Sequence, residues 1–196
     1  LTLLKLRVQH RYAVIEMGMN HFGEIDTLTH IAHPDVALIT NASGAHLQGL
    51  GSVEGVARAK GEIFAGLQSK GIAVINADDA HAGLWRVLAG AHRVIDFGMQ
   101  QAATVKGEWQ ARDFGGVLKA HMPAGDLQIA LQVPGGHNAR NALAAAAAAL
   151  ALDVPLPAIE SALRDFCGVA GRLQRKPALH GATLIDDTYN ANPAST

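Results

Sequence analysis

One cysteine in 196 residues, Cys167, excludes an internal disulfide and fits a reducing compartment. Its surroundings read as those of a small buried hydrophobe near a helix end. Charge is scarce as well: charged residues make up 17% and the net charge is −1. Without a polybasic footprint, neither nucleic acid nor an anionic membrane surface is an expected partner. Long apolar runs are missing too. The longest, residues 142–152, is well short of the ~18 residues that a membrane span needs, and its alanine content favours a soluble helix. The chain opens L-T-L-L-K-L-R-V without a methionine, an apolar h-region or a small-residue cleavage site, so it reads as the middle of a longer protein. Two nucleotide signatures are also lacking. The phosphate-loop pattern G-x-x-x-x-G-K-[ST] is absent, and G-L-G-S-V-E-G, residues 49–55, is one residue longer than the dinucleotide fingerprint.

What is present centres on T-N-A-S-G-A-H-L-Q-G-L-G-S-V-E-G-V-A-R-A-K-G-E-I-F, residues 40–64. It follows the β-branched run 36–40 and turns helical only after Ser52. It therefore reads as the loop leaving the carboxyl end of a strand, where open α/β sheets bind ligands. Downstream, Val53, Val56, Ala57, Phe64 and Leu67 recur at helical spacing, with Lys60 where the period calls for an apolar residue. Either the long lysine stem snorkels to water, or the amine is aimed into a site that also receives His46.

Elsewhere the apolar run 12–15, ending at Glu16, reads as a buried strand with a carboxylate at its carboxyl end. A helix from Glu24 with Ile25, Leu28, Ile31 and Ala32 on one face is stopped by Pro34. Strands at 36–40, 72–75 and 94–97, alternating with helices, predict a doubly wound, mostly parallel sheet with helices on both faces. Between 104 and 133 the period becomes two, with Gly107, Gly115, Gly116 and Gly125 at the bends, so a small antiparallel meander is expected. Two helices follow, from His137 and from Pro157, and then a hairpin-like entry into a further α/β domain. The domain boundary falls near residues 168–171.

Asp78 and Asp79 follow a strand as N-A-D-D. They fit a metal site or, preferably, the cap and first-turn charges of a helix. Asn138 and Asn141, at i and i+3 in a helix's first turn, either cap it or face one ligand together. His10, His30, His33, His81, His92, His121 and His180 read as surface or turn residues. Glu16, His46 and Lys60 each lie at a strand's carboxyl end or on the helix after one, so a doubly wound sheet brings them toward one edge.

The blocks I-E-M-G-M-N-H-F-G-E-I, P-D-V-A-L-I-T-N-A-S-G-A-H-L-Q-G-L-G-S, G-G-H-N-A-R-N-A-L and G-R-L-Q with D-D-T-Y-N-A-N-P, in this order, resemble the Mur ligases. The resemblance covers nearly the whole chain. It implies residues 1–169 of a central ATP-binding domain without its phosphate loop, and residues 170–196 as the start of a carboxy-terminal domain. It implies a cytoplasmic, monomeric, ATP- and Mg2+-dependent amide-bond-forming ligase of peptidoglycan synthesis, with UDP-N-acetylmuramoyl-tripeptide and D-alanyl-D-alanine as substrates. By the same resemblance Glu16 and His46 stand at the magnesium, Lys60 is the lysine that becomes carbamylated, Asn138 and Asn141 lie on the nucleotide side, Arg172 reaches the nucleotide and Asp187 the ribose. Met19, Phe22 and Gly136 depart from the family pattern. The fragment alone is expected to be inactive. The alternatives are a nucleotide-binding or interaction module without catalysis, and a relative such as folylpolyglutamate synthase; D-D-T-Y-N-A-N-P and N-H-F-G-E-I favour the peptidoglycan branch.

Overall fold

The computed structural model describes residues 2–44 and 47–189. The chain divides into two compact units, Leu1–Ala103 and Thr104–Thr196.

In the first unit β1 (Val36–Ile39), β2 (Ile72–Asn76) and β3 (Arg93–Gly98) run parallel in that order, with Val36 opposite Ile72 and Ile72 opposite Arg93. α1 (Glu24–Ala32) precedes β1; the crossovers are α2 (Leu47–Leu50), α3 (Val53–Gly61) and a 3-10 turn Glu62–Gly66 between β1 and β2, and α4 (Ala82–Leu88) between β2 and β3. β2 is buried along nearly its whole length, as expected of a central parallel strand. Ala37, Ile39, Ala57, Phe64, Ala73, Ile75 and Trp85 form the main core, and the Trp85 indole donates to the Ala57 carbonyl at 2.9 Å, locking α4 onto α3. Met19, Ile25, Leu50, Val56 and Ala59 make a second cluster.

Two expectations fail here. Residues 12–15 are not a strand: the segment is irregular, with Tyr12 67% and Val14 97% exposed. An apolar run becomes a strand only by laddering with a neighbour, and no described strand pairs with it. Glu16 is therefore not at a strand's end. In α1 the buried residues are Ile25 and Thr29, whereas Leu28 and Ile31 are exposed. The 3-10 turn approaches so closely that a Cβ on Gly66 would lie 2.4 Å from the Thr29 backbone. A small side chain fits there, and the Thr29 hydroxyl donates to the Ile63 carbonyl at 2.7 Å. The start of α1 is capped from a distance, the Glu62 carboxylate accepting the amides of Gly23 and Asp26.

In the second unit β4 (Val105–Ala111), β5 (Gly116–Met122) and β6 (Gly125–Leu131) form the expected antiparallel meander, with Trp109 opposite Leu118 and Leu118 opposite Ile129. From Leu118 in β5 and from Leu127 in β6 alternate residues are buried, the period-two pattern of a half-covered sheet, while Gly116 and Val117 are buried together at the start of β5. α5 (Gly136–Ala151) packs on β4 through its alanine face, and α6 (Leu156–Asp165) packs on β6. A two-stranded antiparallel hairpin, β7 (Gln174–Pro177) with β8 (Thr183–Asp186), completes it. Cys167 is exposed rather than buried, because α6 ends at Asp165 and the thiol lies against Gln132 and the Asp165 carbonyl. The parallel sheet with flanking helices, the meander and the separate hairpin are the fold class read from the sequence.

Candidate functional site

The loop leaving β1 is held by three side chains on three successive residues. Asn76, at the end of β2, donates to the Thr40 carbonyl at 2.8 Å; Lys60, on α3, donates to the Asn41 carbonyl at 2.6 Å; Asp79 accepts the Ala42 amide at 2.9 Å. Asn76 is 3% exposed, so its amide is a committed structural donor. Ser52 starts α3 by accepting the Gly55 amide at 3.0 Å, and this sets the angle at which Lys60 reaches the loop. Lys60 therefore does not snorkel outward; its amine is directed at backbone. Burial holds its pKa below the ordinary lysine value, and the nearby Asp79 partly offsets that shift.

Neither reading of N-A-D-D matches the structure. α4 begins at Ala82 after His81 with no side-chain cap. Asp79 also accepts the His81 amide and ring nitrogen, at 2.8 and 3.1 Å. Asp78 accepts the amides of Met99, Gln100 and Gln101 at 2.6, 2.9 and 2.8 Å. Asp78 finds these amides in a distant segment, and Asp79 divides its oxygens between the distant Ala42 amide and the nearby His81. Among the described residues no group of three His, Cys, Asp or Glu side chains is placed to hold a metal ion.

Glu16 is exposed and makes no hydrogen bond or ion pair among the described residues. His46 lies outside the described residues. Beside the loop, a cleft of about 650 Å3 is lined by Asn20, His21, Gly44, Leu47, Gln48 and Gly49. Glu24 fixes this region by accepting the amides of Asn20 and His21, at 2.6 and 3.2 Å, and meeting the His21 ring at 3.1 Å. These bonds, the Asn20 amide first, hold its carboxyl below the usual glutamate range.

In the second unit the Asn138 amide donates back to the Pro134 carbonyl at 2.8 Å, closing the entry to α5, whose cap position is Gly135. It is a donor to the preceding turn and not a helix cap, because an Nδ2 cannot accept. Asn141, one turn along, is exposed and has no partner among the described residues. Arg172 stacks over the Tyr189 ring at 4.2 Å, and Asp187 accepts the Leu173 amide at 3.2 Å, so the hairpin's base brings Arg172 and Asp187 together. Sequence reasoning missed Asn76, Glu24 and Glu62 as organisers. A polar residue ending the apolar run of β2 was the one signal available for Asn76.

A lysine drawn onto the loop after a parallel strand, next to a turn-rich cleft, is the arrangement of an α/β ligand site. The sequence model of the Mur ligase middle domain matches residues 1–149, and the chain belongs to the Mur ligase family. Within it, the chain is 40% identical over 197 residues to the UDP-N-acetylmuramoyl-tripeptide–D-alanyl-D-alanine ligase of Escherichia coli (strain K12), a match covering 100% of this chain and 44% of that protein. The solved MurF of Acinetobacter baumannii superimposes with a TM-score of 0.92 at 39% identity, over 98% of this chain and 42% of that one. MurF ligase from Thermotoga maritima in complex with ADP gives 0.76 at 25%, over 90% and 40%. The chain thus spans less than half the length of these relatives.

Proposed function

We propose that this chain is part of an ATP-dependent ligase that joins D-alanyl-D-alanine to UDP-N-acetylmuramoyl-tripeptide in the cytoplasm, with residues 1–169 in its central domain and 170–196 opening its carboxy-terminal domain. The observation that carries the reading is Lys60, a partly desolvated amine held on the loop after β1 in a Mur ligase middle domain. Desolvation raises the fraction of neutral amine, the form that combines with CO2, releasing a proton and leaving an anionic carbamate. The carbamate turns a cation that would repel Mg2+ into a hard oxygen ligand suited to it.

The fit to magnesium rests on that change. Among the described residues Glu16 is a carboxylate without a hydrogen bond or ion pair, and no three His, Cys, Asp or Glu side chains form a ready centre. With a carbamate on Lys60 and the phosphates of ATP, the oxygen donors Mg2+ prefers are provided. A bound ion would offset charge while the γ-phosphate passes to the tripeptide carboxylate, giving the acyl phosphate that the dipeptide amine attacks. On the nucleotide side we assign Asn141 to the adenine, with Asn138 shaping the turn before it, and Arg172 with Asp187 to the ribose.

The test is Lys60→Ala in a full-length ligase containing this chain, assayed with bicarbonate and with short-chain carboxylates. Turnover should fall by about 10²-fold or more and be partly restored by a small carboxylate. Unchanged turnover would make Lys60 a purely structural brace of the loop.

A further inference from the structure

Among the described residues that line the cleft beside the β1 loop, His21 is arranged as a proton acceptor. Glu24 is ionised and committed to the amides of Asn20 and His21, and its other oxygen meets His21 Nδ1 at 3.1 Å. A carboxylate only accepts, so in the neutral ring Nδ1 carries the proton and Nε2 is left as an acceptor. The His21 side chain is 71% exposed and lines the cleft, so this nitrogen is available to a ligand. The wall opposite is built to stay close: a Cβ on Gly49 would lie 2.0 Å from the Asn20 carbonyl oxygen and 3.4 Å from the His21 ring.

The chemistry of the lining selects the ligand. None of Asn20, His21, Gly44, Leu47, Gln48 and Gly49 is a lysine or arginine, so the described lining has no cation to receive a phosphate or carboxylate. Glu24 is the carboxylate that faces His21, at 3.1 Å. A group that accepts a proton and is braced by a carboxylate suits a donor, above all an amine.

We propose that this cleft receives the free amine of an amino acid or short peptide and that His21, oriented by Glu24, takes a proton from it, an inference that rests on the amide-forming function above. The amine enters as its ammonium form and gives one proton to Nε2. The lone pair this frees forms the bond to the carbonyl carbon of the acyl phosphate, phosphate leaves with the electron pair of the broken C–O bond, and the new amide nitrogen sheds its surplus proton to the departing phosphate. The imidazolium then returns its proton to solvent.

The experiment uses this chain, isotopically labelled and followed by NMR, with D-alanyl-D-alanine as the probe and its N-acetyl derivative as the control. Saturable shifts at Asn20, His21, Gly44 and Gln48 are expected for the free amine at a Kd of about 1 mM, with binding at least about tenfold weaker for the N-acetyl form. His21→Asn should also weaken binding about tenfold, and Glu24→Gln by less, with the α1 resonances unmoved. Equal binding of the two dipeptides, indifference to His21→Asn, or no saturable shift would each overturn the proposal. ADP titrated into the same sample and read at α5 separates the two readings. ADP binding without dipeptide binding sinks this inference alone, whereas the reverse removes the nucleotide half of the ligase reading and leaves the cleft.

Discussion

Lys60 shows what a single residue discloses before any coordinates exist. It breaks the apolar period of its helix, and the structure gives the reason, a carbonyl at 2.6 Å on the loop after β1. Asp79 was not legible in the same way, because its partner amide at Ala42 is 37 residues away and no local pattern announces it. Its carboxylate is buried, with 8% of the side chain exposed, and it also steadies the charged form of Lys60. Asp79→Asn is expected to cost about 1–3 kcal/mol through the weakened bond to the Ala42 amide, read as a fall in denaturation midpoint. It should also move Lys60 further below the ordinary lysine value. The sign follows from linkage: a lysine whose folded pKa is lowered destabilises the fold while it is charged, and that cost fades as pH rises through the folded pKa. Stability of the Asp79→Asn protein should therefore begin to recover at a lower pH than in the wild type, which denaturation at stepped pH would detect.

At the level of elements, β-branched runs and helical spacing located β1 to β3, the meander and α5 closely, since those patterns record which faces are buried. They misjudged α1 because the face of a helix depends on what approaches it. The 3-10 turn at Glu62–Gly66 comes within contact of the Thr29 backbone, and glycine makes that approach possible. Gly66→Ala is expected to destabilise the first unit by about 1–3 kcal/mol, the range for overpacking a tight contact. The loss should come with faster amide exchange in α1 and little change in the β4 to β6 meander. Equal loosening of both would show that the contact is not local. The run 12–15 carries the converse lesson: apolar residues alone do not make a strand where no ladder receives them.

For the whole molecule, order of motifs proved more informative than any one of them, and it is what the family match over residues 1–149 reflects. The same sequence, lacking a phosphate-loop pattern, contains no backbone cradle of that type for the β- and γ-phosphates. Incubated with ATP, Mg2+ and both proposed substrates, these 196 residues are expected to release phosphate far more slowly than ~1 s⁻¹, an ordinary enzyme rate. Turnover near that rate would require a different phosphate site. One further consequence concerns timing. Met99, Gln100 and Gln101, at the end of the first compact unit, all donate to the Asp78 carboxylate. Three neighbouring amides thus share one latch, so Asp78→Ala is expected to quicken their proton-for-deuteron clocks together.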